Sequence, residues 1–211
     1  MPQNTDALLP VMTGQPVIPV IVLDDAKDAV PMAKALVAGG LPAIEITLRT
    51  EAALDSIRRV AAEVPEALVG AGTILNARQF DEAVSAGSKF IVSPGLTPEL
   101  VEAAEGSAVP LLPGAVTSSE IMAALEDGYS LLKFFPAEQA GGAAYLKSLS
   151  SPFGGVKFCP TGGVSAKNAA DYLSLPNVLC VGGSWVAPKD AVEAGDWDRV
   201  TALAKEAAAA R

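Results

Sequence analysis

An α/β fold, a single-domain (β/α)8 TIM barrel, is what this sequence predicts, and three observations carry it. Short runs rich in Val, Ile, Leu and Phe begin near Val17, Ile44, Leu68, Phe90, Val109, Leu131, Val156 and Val178, eight in all and 19 to 27 residues apart. That interval holds one strand, two turns and a helix of about three turns. The segments between the runs carry helix punctuation. No linker or low-complexity tract divides the 211 residues, so residues 1–211 read as one domain, with 1–16 as a lead-in segment. Eight βα units in this length suit a closed barrel better than a doubly wound sheet. No GxGxxG with a following acidic residue supports a dinucleotide-binding fold.

The elements follow in order. The longest uncharged stretch, Ala7 to Leu23, leads into the first strand and contains Pro10, Pro16 and Pro19. It reads neither as a membrane helix nor as a signal core, and a cytoplasmic protein is expected. In the second strand, Ala43 to Arg49, period-two alternation sends Ile44, Ile46 and Leu48 toward the helices and Ala43, Glu45, Thr47 and Arg49 inward. Thr50 is then placed to cap a helix whose Leu54, Ile57, Val60 and Val64 follow helical spacing. The third run ends in Gly70-Ala71-Gly72-Thr73 and the fourth in Ser93-Pro94-Gly95. Thr97-Pro98-Glu99 offers a cap, a proline at the first helical position and an acid in the first turn. The fifth run ends in Pro113-Gly114-Ala115-Val116-Thr117, and Thr117 to Glu120 has capping-box spacing. Gly39, Gly87, Gly106 and Gly128 fall where helices should stop, and Trp197 to Arg211 reads as a closing helix that frays in its alanine run.

Composition narrows the function. The net charge of −9, with no basic stripe, argues against nucleic acid and against an anionic membrane surface. A phosphorylated small molecule is still compatible, because backbone N–H groups hold phosphate without lysines. Cys159 and Cys180 sit in apolar runs outside any CxxC pattern and read as buried, reduced thiols. There is no histidine, which removes the usual general base and the usual metal ligand.

The chemistry therefore falls on Lys133, the one charged group in Leu131-Leu132-Lys133-Phe134-Phe135-Pro136. An amine in apolar surroundings loses the solvation that holds its proton, which frees a nucleophilic lone pair. Lys89 and Lys157 also precede aromatic strand residues, but each begins its run and is free to snorkel to solvent at the base. Glu45 is the inward carboxylate available as acid and base. A static Glu–Lys or Glu–Arg pair filling the interior is the plainer reading of the same residues. Two glycine-rich turns, Pro160-Thr161-Gly162-Gly163-Val164-Ser165 and Val181-Gly182-Gly183-Ser184-Trp185, follow strands seven and eight, where barrels commonly bind phosphate. Tight turns alone would explain a single Gly-Gly. A phosphate-binding isomerase or epimerase, or a non-catalytic sugar-phosphate-binding module, also fits these features.

Glu-Ile-Thr-Leu-Arg-Thr, Gly-Ala-Gly-Thr, Ser-Pro-Gly, Lys-Phe-Phe-Pro-Ala-Glu, Phe-Cys-Pro-Thr-Gly-Gly and Val-Gly-Gly-Ser-Trp occur here in the order found in the 2-keto-3-deoxy-6-phosphogluconate (KDPG) aldolase and 4-hydroxy-2-oxoglutarate aldolase family. The chain resembles that family from about Val17 to past Trp185. The resemblance implies a class I aldolase with Lys133 as the Schiff-base lysine and Glu45 as general acid/base. It implies Arg49, Thr73 and Pro94 at the pyruvate carboxylate end, Phe135 in the pocket wall, and Thr161, Gly162, Gly163, Gly183 and Ser184 at the phosphate. It also implies a phosphorylated keto-deoxy sugar acid as substrate, no cofactor, no metal and a homotrimer. Ala115-Val116 departs from the family, where a larger aliphatic residue and then a small polar one are usual, and this bears on fine substrate preference. The gluconate and galactonate series, which differ at C4, both stay open.

Overall fold

The computed structural model describes residues 3–210. Eight parallel strands alternate with helices: β1 Val17–Ile21, β2 Ala43–Thr47, β3 Leu68–Gly72, β4 Ile91–Val92, β5 Leu111–Leu112, β6 Leu131–Phe134, β7 Lys157–Pro160 and β8 Val181–Gly183. The helices are α1 Thr5–Thr13, α2 Ala29–Ala38, α3 Ala53–Glu63, α4 Ala77–Ser85, α5 Pro98–Glu105, α6 Ser118–Glu126, α7 Gly142–Leu149, α8 Ala169–Leu173, α9 Lys189–Ala194 and α10 Trp197–Ala208. All eight expected strands are present. β4 and β5 are only two residues long, and β8 starts three residues later than the apolar run beginning at Val178.

The strands form a six-stranded sheet in the order β5-β4-β3-β2-β1-β8 and a separate pair, β6-β7. Isolated bridges cross both seams: Gly114 to Lys133 between β5 and β6, and Phe158 to Val178 and Thr161 to Gly182 between β7 and the run that becomes β8. The α/β class is as expected, with an ordered six-strand half and a two-strand remainder.

Two cores follow from the strand alternation. Outward residues such as Ile44, Ile46, Val69, Ala71, Ile91, Leu132, Phe134 and Phe158 pack with the helices. Inward residues Ile18, Ala43, Phe90, Val92, Leu112, Leu131, Cys159 and Cys180 meet Leu8, Val11 and Met12 of α1. The segment read as a lead-in is therefore helical over Thr5–Thr13, and its apolar face plugs the N-terminal end of the strands. Glutamines at the two ends of this helix replace missing sheet rungs. Gln15 donates to the carbonyls of Val17 and Ala43 and accepts from Ala43 N–H. Gln3 donates to the carbonyls of Leu111 and Leu131 and accepts from Leu131 N–H, so it spans the β5–β6 seam.

The predicted caps divide. Thr97 caps α5 with Pro98 in its first turn, and Thr117 with Glu120 makes a reciprocal capping box on α6. Thr50 does not cap α3, whose N-cap is Ala52; its hydroxyl donates to Leu23 O and ties the exit of β2 to that of β1. Gly39 and Gly106 are C-cap residues, while Gly87 and Gly128 follow the cap with positive φ. Among the described residues no helix is long and apolar enough to cross a membrane.

Candidate active site

Lys133 enters from β6 and Glu45 from β2, two strands facing one another across the interior. Each residue is 3% exposed. The Lys133 Nζ donates to Glu45 Oε1 at 3.1 Å, so each buried group satisfies the other. Burying either charge alone would cost several kcal/mol, roughly, and the pairing offsets that cost. The amine also lies 5.4 Å from the centroid of the Phe135 ring, which shares its face of β6. The two contrasting lysines behave as their positions suggested. Lys157 donates to Pro176 O at the base, and Lys89 is exposed.

Toward the C-terminal ends of the strands the surface opens. Arg49, just past β2, donates through Nε to the Thr73 hydroxyl at 3.1 Å. Thr73 holds φ +61°, the one non-glycine residue in the left-handed region among those described. Such a backbone is unfavourable for a β-branched side chain and is retained where the surroundings impose it. Here it turns the hydroxyl back toward Arg49.

Arg49, Phe135, Thr161, Gly162, Gly163, Gly183 and Ser184 line one cavity of about 190 Å³. Arg49 is the cationic side chain in this lining. Gly162 and Gly163 have φ +97° and +77°, a conformation L side chains rarely adopt, so the turn after β7 requires glycine. Gly183 is needed for space instead: a Cβ there would stand 1.7 Å from the Trp185 ring. Pro94 lies elsewhere. It lines a neighbouring cavity of about 380 Å³ with Gly114, Ala115, Val116 and Phe135, so Phe135 is the wall between the two. The larger 470 Å³ cavity, between the ends of β1 and β8 and α9, shares Val20, Val22 and Ser184 with the glycine-lined one.

Val164 and Gly182 complete the lining from within the two glycine-rich turns, whereas Val20 and Val22 lie outside every motif the sequence offers. Pro19 and burial along all of β1 hid which of its residues face the site. Glu138, the other acid close to the glycine turns, is engaged by Tyr172, whose hydroxyl donates to it. Burial first, then the Glu138 carboxylate, hold the Tyr172 phenol protonated well above the ordinary tyrosine range.

A lysine and a carboxylate paired in the interior, with a glycine-lined cavity at the C-terminal ends of the same parallel strands, fit one class, a carbon–carbon lyase of the lysine-dependent aldolase type. The family model for KDPG and KHG aldolase matches residues 9–203, and the chain belongs to that family. The KHG/KDPG aldolase of Escherichia coli (strain K12) is 55% identical over 197 residues, covering 93% of this chain and 92% of the relative. A KDPG aldolase structure from Legionella pneumophila, with pyruvate captured as a covalent carbinolamine intermediate, superposes with a TM-score of 0.92 at 46% identity. It covers 94% of this chain and 97% of its own. The 2-keto-3-deoxy-6-phosphogluconate aldolase of Zymomonas mobilis ZM4, with 3-phosphoglycerate, gives a TM-score of 0.92 at 49% identity, covering 98% and 97%.

Proposed function

We propose that this chain is a class I aldolase cleaving 2-dehydro-3-deoxy-6-phosphogluconate to pyruvate and D-glyceraldehyde 3-phosphate, with 4-hydroxy-2-oxoglutarate as a second substrate. The observation that carries the reading is the 3.1 Å contact between the buried Lys133 amine and the Glu45 carboxylate. It supplies a nucleophile and a proton acceptor in one place.

Proton transfer from Lys133 to Glu45 leaves the amine lone pair free to attack the C2 ketone. The carbinolamine loses water, with Glu45 returning the proton to the leaving oxygen, and an iminium forms. As the C4 hydroxyl gives up its proton to Glu45 through a water, the C3–C4 bonding pair flows into the iminium. Glyceraldehyde 3-phosphate departs and an enamine remains. Glu45 protonates C3, and hydrolysis of the imine releases pyruvate and restores the amine. A general acid–base group of this kind contributes about 10²–10⁴-fold. Arg49 and Thr73, already joined, would hold the substrate carboxylate and fix the ketone over Nζ. Thr161, Gly162, Gly163, Gly183 and Ser184 would take the phosphate, with Phe135 and Pro94 shaping the pyruvate end. The gluconate series is favoured over the galactonate series by the substrate for which the named relatives act.

We also infer that the eight strands close as one single-domain (β/α)8 barrel; of the span 1–211 expected from sequence, residues 1, 2 and 211 lie outside the described residues. The single bridges and Gln3 across the β5–β6 seam support it. A homotrimer is proposed on family resemblance, and sedimentation would test it. A cytoplasmic location is proposed from the burial of Cys159 and Cys180 in apolar strand segments.

Borohydride reduction in the presence of pyruvate, followed by peptide mass mapping, tests the mechanism. The expected product is a reduced pyruvyl adduct on Lys133. Bound pyruvate with no lysine adduct would discard the imine route and leave Lys133–Glu45 a static pair.

A further inference from the structure

The inward face of β3 carries no side chains where it passes the active site, because Gly70 and Gly72 occupy alternate positions there. Neither has positive φ, so neither is needed for an unusual backbone. An interior strand glycine weakens a sheet and often marks a close approach by another group. At Gly70 that group is the Phe90 ring, with carbons 2.5 Å from where a Cβ would stand.

At Gly72 it is Glu45. A Cβ on Gly72 would stand 2.0 Å from Glu45 Oε1 and 2.6 Å from both Cδ and Cγ. Three consecutive atoms of the carboxylate arm therefore lie in the space that any other residue would fill. Oε1, which would clash hardest, is also the oxygen that accepts from Lys133 Nζ. The backbone here is tethered to the strands on both sides. Leu48 N–H donates to Gly72 O on one side, and Ala71 N–H donates to Phe90 O on the other.

We propose that Gly72 is a positioning residue: it is the notch in which the Glu45 carboxylate lies so that Oε1 meets the Lys133 amine. This rests on the roles given to Lys133 and Glu45 above. A methyl at 72 displaces Oε1 across the interior while leaving Lys133, the Arg49–Thr73 pair and the glycine turns in place. Displacement of a reacting group by about 1 Å typically costs on the order of 100-fold in rate.

The test is a cycle of Gly72→Ala with Glu45→Gln. Gly72→Ala is expected to lower kcat by about 100-fold with KM changed less than about threefold, since the atoms nearest the added methyl belong to Glu45 and not to the neighbouring Thr73 or to Arg49. The limb of the pH–kcat profile that reports the carboxylate should move or vanish. Glu45→Gln should then cost little more in the Gly72→Ala background than Gly72→Ala costs alone. Normal turnover in Gly72→Ala, or losses that simply multiply, would overturn the notch. Stability gives a second reading. Gly72→Ala/Glu45→Ala should melt within a few degrees of Glu45→Ala, even if Gly72→Ala by itself fails to fold. A double variant that is equally damaged would show that the methyl meets something other than Glu45. Failure of the unaltered protein to form a borohydride-trapped pyruvyl adduct would instead bring down the aldolase reading beneath.

Discussion

The two ends of the parallel strands are made of opposite materials. The N-terminal end is closed by α1, with Leu8 and Met12 fully buried against Phe90, Cys180 and their neighbours, and with Gln3 and Gln15 serving as rungs. The C-terminal end has the paired glycines of the turns after β7 and β8, the strained Thr73, the glycine-lined cavity and, just inside, the buried Lys133–Glu45 pair. One end is mainly apolar packing, with a cavity of about 210 Å³ beside Gln3 and Tyr129, and the other is arranged charge and space. The contrast teaches that the closed end carries the stability that lets the open end keep costly features, which is the usual division of labour in such folds.

That comparison is breakable by substitution. The largest expected effect is at Lys133→Ala, which should abolish cleavage and pyruvate trapping while circular dichroism stays that of a folded α/β protein. Retention of most of the turnover would end the imine claim. Glu45→Gln should fold and turn over at least ~100-fold slower, as steady-state rates at saturating substrate would reveal. Near-normal rates would move proton transfer to another group. At the closed end, Met12→Ala should reverse the pattern: a loss of about 2–5 kcal/mol in denaturant melts, with kcat per folded molecule unchanged. A drop in kcat at full stability would show the two ends to be coupled.

The smallest effect sharpens the boundary. Thr117→Ala, at the α6 cap on the loop side, should cost about 1 kcal/mol near neutral pH. The backbone N–H of Thr117, against some opposing desolvation, holds the Glu120 carboxylate below its ordinary value of 4.5. A depressed carboxylate contributes stability that is present above that value and lost as the pH falls through the depressed one. The Glu120→Gln penalty should therefore shrink on acidification, and a penalty that grew would reverse the assignment.

Most of this contrast is legible in sequence, for physical reasons. Lys133 stands out because a charge is costly inside an apolar strand, and Glu45 because strand alternation leaves it no outward option. Thr97 and Thr117 are legible because a cap needs only atoms three residues away. What escapes depends on partners distant in the chain. Thr50 has the right neighbours for a cap, yet its hydroxyl finds Leu23 O, 27 residues back. The helix over Thr5–Thr13 contains Pro10, so its pattern looks irregular until the interior it plugs is in view. Gly72 reads as a turn glycine because the arm it accommodates arrives from another strand.

Gln3 has a consequence for the order of assembly. Its contacts with β6 span 128 residues of chain and its contact with β5 spans 108. Loops of that length close late, after shorter-range contacts have reduced the search. The N-terminal half of the β5–β6 seam, away from the Gly114–Lys133 bridge, therefore stays unpaired until Gln3 arrives, and unpaired edges are what neighbouring chains capture. A single amide side chain near the start of the sequence is in this sense a late latch, whose closing ends the interval in which the growing sheet is open to the wrong partner.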